Sequence, residues 1–132
     1  MDINHRQWFM NYLFGSNKVA VNVVSQGSQS VKENHIKSEI DAGRPVVVWI
    51  KDNTKSSGDG HEVVAYSYDS SNIYANYGWD PCDTHIKLLS YSYNTIHRVI
   101  KYNFSNFNHL HSDNYKISGI GYCGCNPNNP SI

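Results

Sequence analysis

The sequence predicts an α+β fold, an antiparallel β-sheet with one or two packed helices, and three observations carry that reading. Helical spacing appears twice, both times before Pro45, and the stretch after it is a succession of β-rich runs bounded by turn residues. Ten Tyr and three Trp among 132 residues favour strands and loops packed by polar-tipped aromatics over a helix bundle. Strands that follow one another with short turns pair antiparallel, so helices first and strands afterwards give α+β.

Taken in order, Asn4 to Phe14 sets Phe9, Tyr12 and Leu13 at i, i+3, i+4, with Asn4 as N-cap and Gly15 as the stop. Lys18 to Ser25 is a strand ended by SQGSQS. A second helix is predicted from about Val31 to Ala42: Ser30 and Glu33 make a capping box, and Ile36 and Ile40 lie one turn apart. Gly43 stands where a C-cap belongs, and Pro45 prevents continuation. VVVWI then reads as a central strand buried on both faces, followed by the polar loop KDNTKSSGDG. Further strands are expected over His61–Tyr68, Ile73–Tyr77, His85–Ser90 and Ile96–Phe104. The whole chain, 1–132, is expected to form one domain, with 105–132 as an irregular tail.

Eleven basic and eleven acidic residues cancel, and no Lys/Arg cluster exists, so neither nucleic acid nor an anionic membrane is expected as a partner. The longest apolar run, Val46 to Ile50, is too short to span a bilayer. The start, MDINHRQW, lacks the basic and apolar regions of a signal peptide. No cofactor is expected.

The chemistry concentrates in Gly58-Asp59-Gly60-His61, which leads into EVVAYSYD, a turn, and IYANYGWD ending at Asp80. A histidine acts as a base when a partner holds one ring nitrogen and aims the other at a nucleophile. Strand register decides which partner His61 receives, because side chains alternate between faces. A four-residue connection with Ser67 opposite Asn72 makes Asn76 a diagonal same-face neighbour of His61, a two-residue connection sets Asp80 opposite it, and a three-residue one puts Asn76 behind the sheet. The plain alternative is that His61 begins an ordinary strand, Asn76 lies on its outer face and Trp79 packs a core.

The run GHEVVAYSYDSSNIYANYGW resembles the histidine-to-asparagine half of papain-like cysteine peptidases. IDAGRPVVVWI is similar to the helix, Gly-Arg/Gln-Pro, apolar-strand step that precedes the histidine in their streptopain-like and bacteriocin-leader-processing bacterial branches. The resemblance covers about Ser30 to Trp79. It implies that His61 is the catalytic base, Asn76 its orienter, with Asp80 of Asp80-Pro81 as the alternative, and Trp79 a shielding aromatic. The Gly58, Asp59, Gly60 loop would border the cleft for a peptide substrate or ligand. The resemblance also suggests an extracellular or cell-surface location.

The family carries its nucleophilic cysteine at a helix N-terminus upstream of the histidine, and no cysteine precedes His61 in this sequence. The family also has a glutamine before that cysteine that helps form the oxyanion hole; Gln7 lies in the first predicted helix, but Trp8-Phe9-Met10 follow it, with no thiol. Three expectations follow: a missing N-terminal half that bears the nucleophile, a non-catalytic relative that binds a peptide or cell-wall ligand, or a permuted site using Cys123 or Cys125. The tail NPNNPSI offers the last no helix to lower a thiol pKa.

No metal is expected: Cys82, His85, Cys123 and Cys125 have the Cys3His composition of a structural zinc site but would meet only if the tail folds back, and a disulfide between Cys82 and a tail cysteine is the other arrangement to weigh. Free thiols are the simplest reading. His109 and His111 share a face only on an extended segment. His35 and His97 show no partner in the sequence.

Overall fold

A computed structural model of the chain describes residues 2–44, 46–56, 59–79 and 85–104. Among these, two helices and six strands are formed: α1 (Ile3–Phe14), β1 (Ala20–Val24), α2 (Gln29–Asp41), β2 (Val46–Lys51), β3 (Gly60–Tyr68), β4 (Ile73–Asn76), β5 (Ile86–Lys87) and β6 (Thr95–Asn103). The strands make one open antiparallel sheet in the order β1-β6-β2-β3-β4-β5. This is an α+β fold. Neither helix is long and apolar enough to cross a membrane. Asp80, Cys82, Gly58, Cys123, Cys125, His109, His111 and the expected tail, 105–132, lie outside the described residues.

The helices take opposite faces of the sheet. Lys101 Nζ meets His35 of α2 at 2.6 Å, whereas the next residue, Tyr102, accepts a hydrogen bond at 3.0 Å from Arg6 of α1, and neighbouring residues of a strand point to opposite sides. The core lies on the α2 face, where Ile36 packs with Val46, Val48, Ile50, Val63, Ala65, Ala75, Ile96 and Val99. On the other face of β2, Val47, Trp49 and Lys51 are half-buried, so this strand is fully covered on one side only.

Both helix starts fall earlier than the sequence suggests. Asp2, not Asn4, caps α1 by accepting from the His5 N–H at 2.9 Å. Ser28, not Ser30, caps α2 by accepting from the Val31 N–H at 3.3 Å. The stop of α2 is as expected: Gly43 takes φ +71°, and the Gly43→Ile40 and Arg44→Glu39 backbone bonds form a Schellman motif. Arg44 Nε reinforces it with a 2.9 Å bond to the buried Glu39 carboxylate.

The apolar stripe expected to bury α1 does the reverse, since Phe9, Tyr12 and Leu13 are exposed. Polar side chains dock this helix instead. Buried Arg6 pairs with Glu62 of β3, and the Gln7 carboxamide bonds the Val19 carbonyl at 2.8 Å and the Val21 N–H at 2.9 Å along the free edge of β1. Gln7 is therefore committed to sheet structure. A second glutamine, Gln29, holds the Ile96 N–H and carbonyl at 2.7 and 2.8 Å, beside the β2–β6 register shift at Trp49/Ile50. The expected strand His85–Ser90 shortens to Ile86–Lys87: His85 takes φ +61° at its start, and the Ser90 carbonyl accepts from the Tyr93 N–H in a turn beyond its end.

Candidate active site

The β3–β4 hairpin turns through Asp69-Ser70-Ser71-Asn72, with Tyr68 opposite Ile73. Asp69 builds the turn, its carboxylate accepting from the Ser71 and Asn72 N–H groups at 2.8 Å each. Had the ladder continued unbroken, Asn76 would have faced Ala65 and shared a face with His61. The register instead shifts between Ala65 and Ser67, so Tyr66 is an extra residue and Asn76 pairs with Val64. One inserted residue exchanges the faces of everything beyond it. Of the registers left open by the sequence, the outcome is the one with Asn76 behind the sheet, reached through the bulge and not through a three-residue turn: Asn76 sits on the α1 side while His61, paired with Ile50, sits on the α2 side.

What reaches the His61 ring is a backbone atom. Nε2 lies 2.7 Å from the carbonyl oxygen of Tyr77. A carbonyl only accepts, so Nε2 carries the proton, and in the neutral ring Nδ1 holds the free lone pair. The Asn76 carboxamide acts one step away: Oδ1 accepts from the Gly78 N–H at 2.7 Å, an Asx turn closed around Tyr77. Gly78 supplies the left-handed conformation this turn requires, with φ +75°.

Tyr77 is locked from its other end. Its ring is 1% exposed, and its hydroxyl donates to the Leu88 carbonyl at 2.8 Å and accepts from the Ser90 N–H at 3.1 Å. Burial, the largest influence, pushes the Tyr77 phenol above its ordinary pKa, which keeps it neutral.

Aromatic rings cover the imidazole on the same face. Trp79 tilts over it at 4.7 Å between centroids, Tyr77 stands at 5.6 Å and Tyr93 stacks at 6.0 Å. Tyr91 extends this ledge against Trp79 at 5.2 Å, in a left-handed conformation with φ +58°. Trp79 and Tyr91 keep 53% and 66% of their surface exposed, so the ledge opens to solvent beside the histidine.

The structure thus brings His61 and Trp79 together and gives Asn76 a backbone partner. Asp59 and Gly60 stand at the entry to β3, where Lys55 and Asp59 form an exposed ion pair at 4.0 Å. Of the four residues considered for zinc, His85 alone is described; its N–H donates to the Tyr66 hydroxyl at 2.7 Å and its ring stands edge-on to Tyr74. Among the described residues no three of His, Cys, Asp and Glu converge as a metal site. The sequence reading missed Tyr77, Tyr91 and Tyr93, whose signal was the recurrence of Tyr in NYGW and SYSYN.

Residues 3–84 match the model of the Peptidase C10 family. The chain belongs to that family, the streptopain family of cysteine peptidases. No curated protein and no solved structure gives a match. The part of the chain that matches the Peptidase C10 family includes α1, the hairpin, His61, Asn76 and Trp79.

Proposed function

We propose that this Peptidase C10 chain is the histidine-bearing part of a cysteine peptidase that hydrolyses peptide bonds. The observation that carries the reading is the 2.7 Å approach of His61 Nε2 to the Tyr77 carbonyl. It leaves Nδ1 as the atom that takes the proton of a thiol. The same nitrogen later returns a proton to the leaving amine. Asn76 orients His61 at one remove, through the turn that aims the Tyr77 carbonyl. Trp79 and Tyr93 keep water from that hydrogen bond, which gains strength in a drier setting. On this reading the nucleophilic thiol is not among the residues before His61, which include no cysteine.

The test is casein hydrolysis by the native gene product, read in frame from upstream of Met1. Activity should be abolished by iodoacetamide and should fall by about a thousandfold or more in His61→Ala. Unchanged turnover in His61→Ala would refute the assignment. The 132-residue chain alone should show no iodoacetamide-sensitive cleavage.

The exposed Trp79–Tyr91 ledge favours a second reading, a non-catalytic module that binds a peptide or cell-wall ligand there. In that case His61→Ala leaves ligand affinity intact, while Trp79→Ala weakens it.

A further inference from the structure

The strand that presents His61 is backed on its other face by a ring the hairpin itself does not contain. The indole of Trp49, on β2, lies against Gly60: a Cβ built on that glycine would stand 1.7 Å from Trp49 Nε1, 2.6 Å from Cδ1 and 2.8 Å from Cε2. Ring and backbone occupy the space that any side chain at position 60 would need. The contact is close enough that Nε1 is buried without a hydrogen-bond partner. An orphaned donor is unfavourable, so other contacts hold the ring in place. The Arg98 guanidinium covers its face at 5.1 Å, and His97 meets it edge-on at 5.7 Å. Ile3, Arg6, Val23 and Ile100 close the space around it, leaving a cavity of only about 10 Å³.

We infer that Trp49 is a positioning residue for His61, acting through Gly60. By filling the space behind Gly60, the indole sets the level at which the Gly60–His61 backbone enters β3, and with it the distance from Nε2 to the Tyr77 carbonyl. Trp79 and Tyr93 bear on the imidazole from the front, and Trp49 fixes its backbone from behind. Gly60 is then a glycine because of Trp49. Its φ is not in the left-handed range, so conformational freedom does not account for it. The functional meaning of this arrangement rests on the reading of His61 as the base.

The test uses the chain itself and reads the nitrogen-15 shifts of the His61 ring beside unfolding by urea. The variants are Trp49→Phe, Trp49→Leu, Gly60→Ala and Gly60→Ala combined with Trp49→Leu. In the native chain Nε2 should be protonated and Nδ1 free. Trp49→Phe and Trp49→Leu should move both nitrogens toward the averaged shifts of a free imidazole. Gly60→Ala should do the same, and its cost in the folding equilibrium should shrink by about tenfold when Trp49 is already Leu. Unchanged ring shifts in both Trp49 variants, with only a loss of stability, would overturn the inference. So would an equal cost of Gly60→Ala in the two backgrounds. No hydrolysis is measured, so such a result leaves the peptidase reading intact, and failure of His61→Ala to affect turnover would end that reading without changing these shifts.

Discussion

The Tyr77 carbonyl oxygen lies 2.7 Å from Nε2 of His61, across sixteen residues of chain and on the face of the sheet opposite the Asn76 pairing position. A backbone acceptor at this point has a definite consequence. It fixes the imidazole tautomer through the shape of the 76–78 turn, so residues that shape the turn govern the ring.

Asn76 is the first such residue. Asn76→Ala removes the acceptor of the Gly78 N–H and should cost about 0.5–1.5 kcal/mol in urea unfolding. Asn76→Asp keeps an acceptor oxygen and should recover most of that loss. Equal losses in the two variants would show that the Asx turn is not what Asn76 contributes.

Tyr77 anchors the turn through its hydroxyl. Tyr77→Phe keeps the ring but leaves the Leu88 carbonyl and the Ser90 N–H without this partner, at a cost of about 1–3 kcal/mol. The expected readout is a lowered urea midpoint with an unchanged m-value. A neutral effect would mean that water replaces the hydroxyl.

His97 makes stability depend on pH. Burial first, then the positive charges of Lys51, Arg98 and Lys32, hold its imidazole below the ordinary 6.5. The unfolded chain therefore binds a proton at a pH where the folded chain does not. This contribution is whole above the unfolded value, declines as pH falls below about 6.5, and levels off beneath the folded value. His97→Gln should remove that part of the decline in unfolding free energy measured across the range. A profile identical to that of the native chain would contradict the assignment.

Much of the fold was legible because it rests on local chemistry. Gly43 before Arg44 and Pro45 announced the end of α2, VVVWI announced β2, and the alternation after His61 announced β3. Distant polar partners carried the rest. Nothing in the spacing of α1 shows that Arg6 reaches Glu62 and Tyr102, or that Gln7 reaches the edge of β1, and spacing alone points to its apolar residues as the docking face.

Around His61 the ring contact was legible in residue types, and the register was not. His61 and Trp79 do meet, as GHEVV and NYGW suggested. The bulge at Tyr66 could not be read from the turn, since counting loop residues assumes an unbroken ladder. The atom that holds His61 belongs to the backbone, and a carbonyl leaves no signature in residue type. The choice of Ser30 over Ser28 as a cap shows the same limit on a smaller scale, because SQGSQS offers several hydroxyls and only the backbone path selects one.

The most direct measurement is the nitrogen-15 spectrum of the His61 ring in the native chain at about pH 8.5, above the ordinary range of imidazole protonation. A protonated Nε2 and an unprotonated Nδ1 are the predicted result, with Nδ1 then free to take a proton from a thiol. A proton resident on Nδ1, or two nitrogens averaged as in a free imidazole, would contradict the role given to the Tyr77 carbonyl.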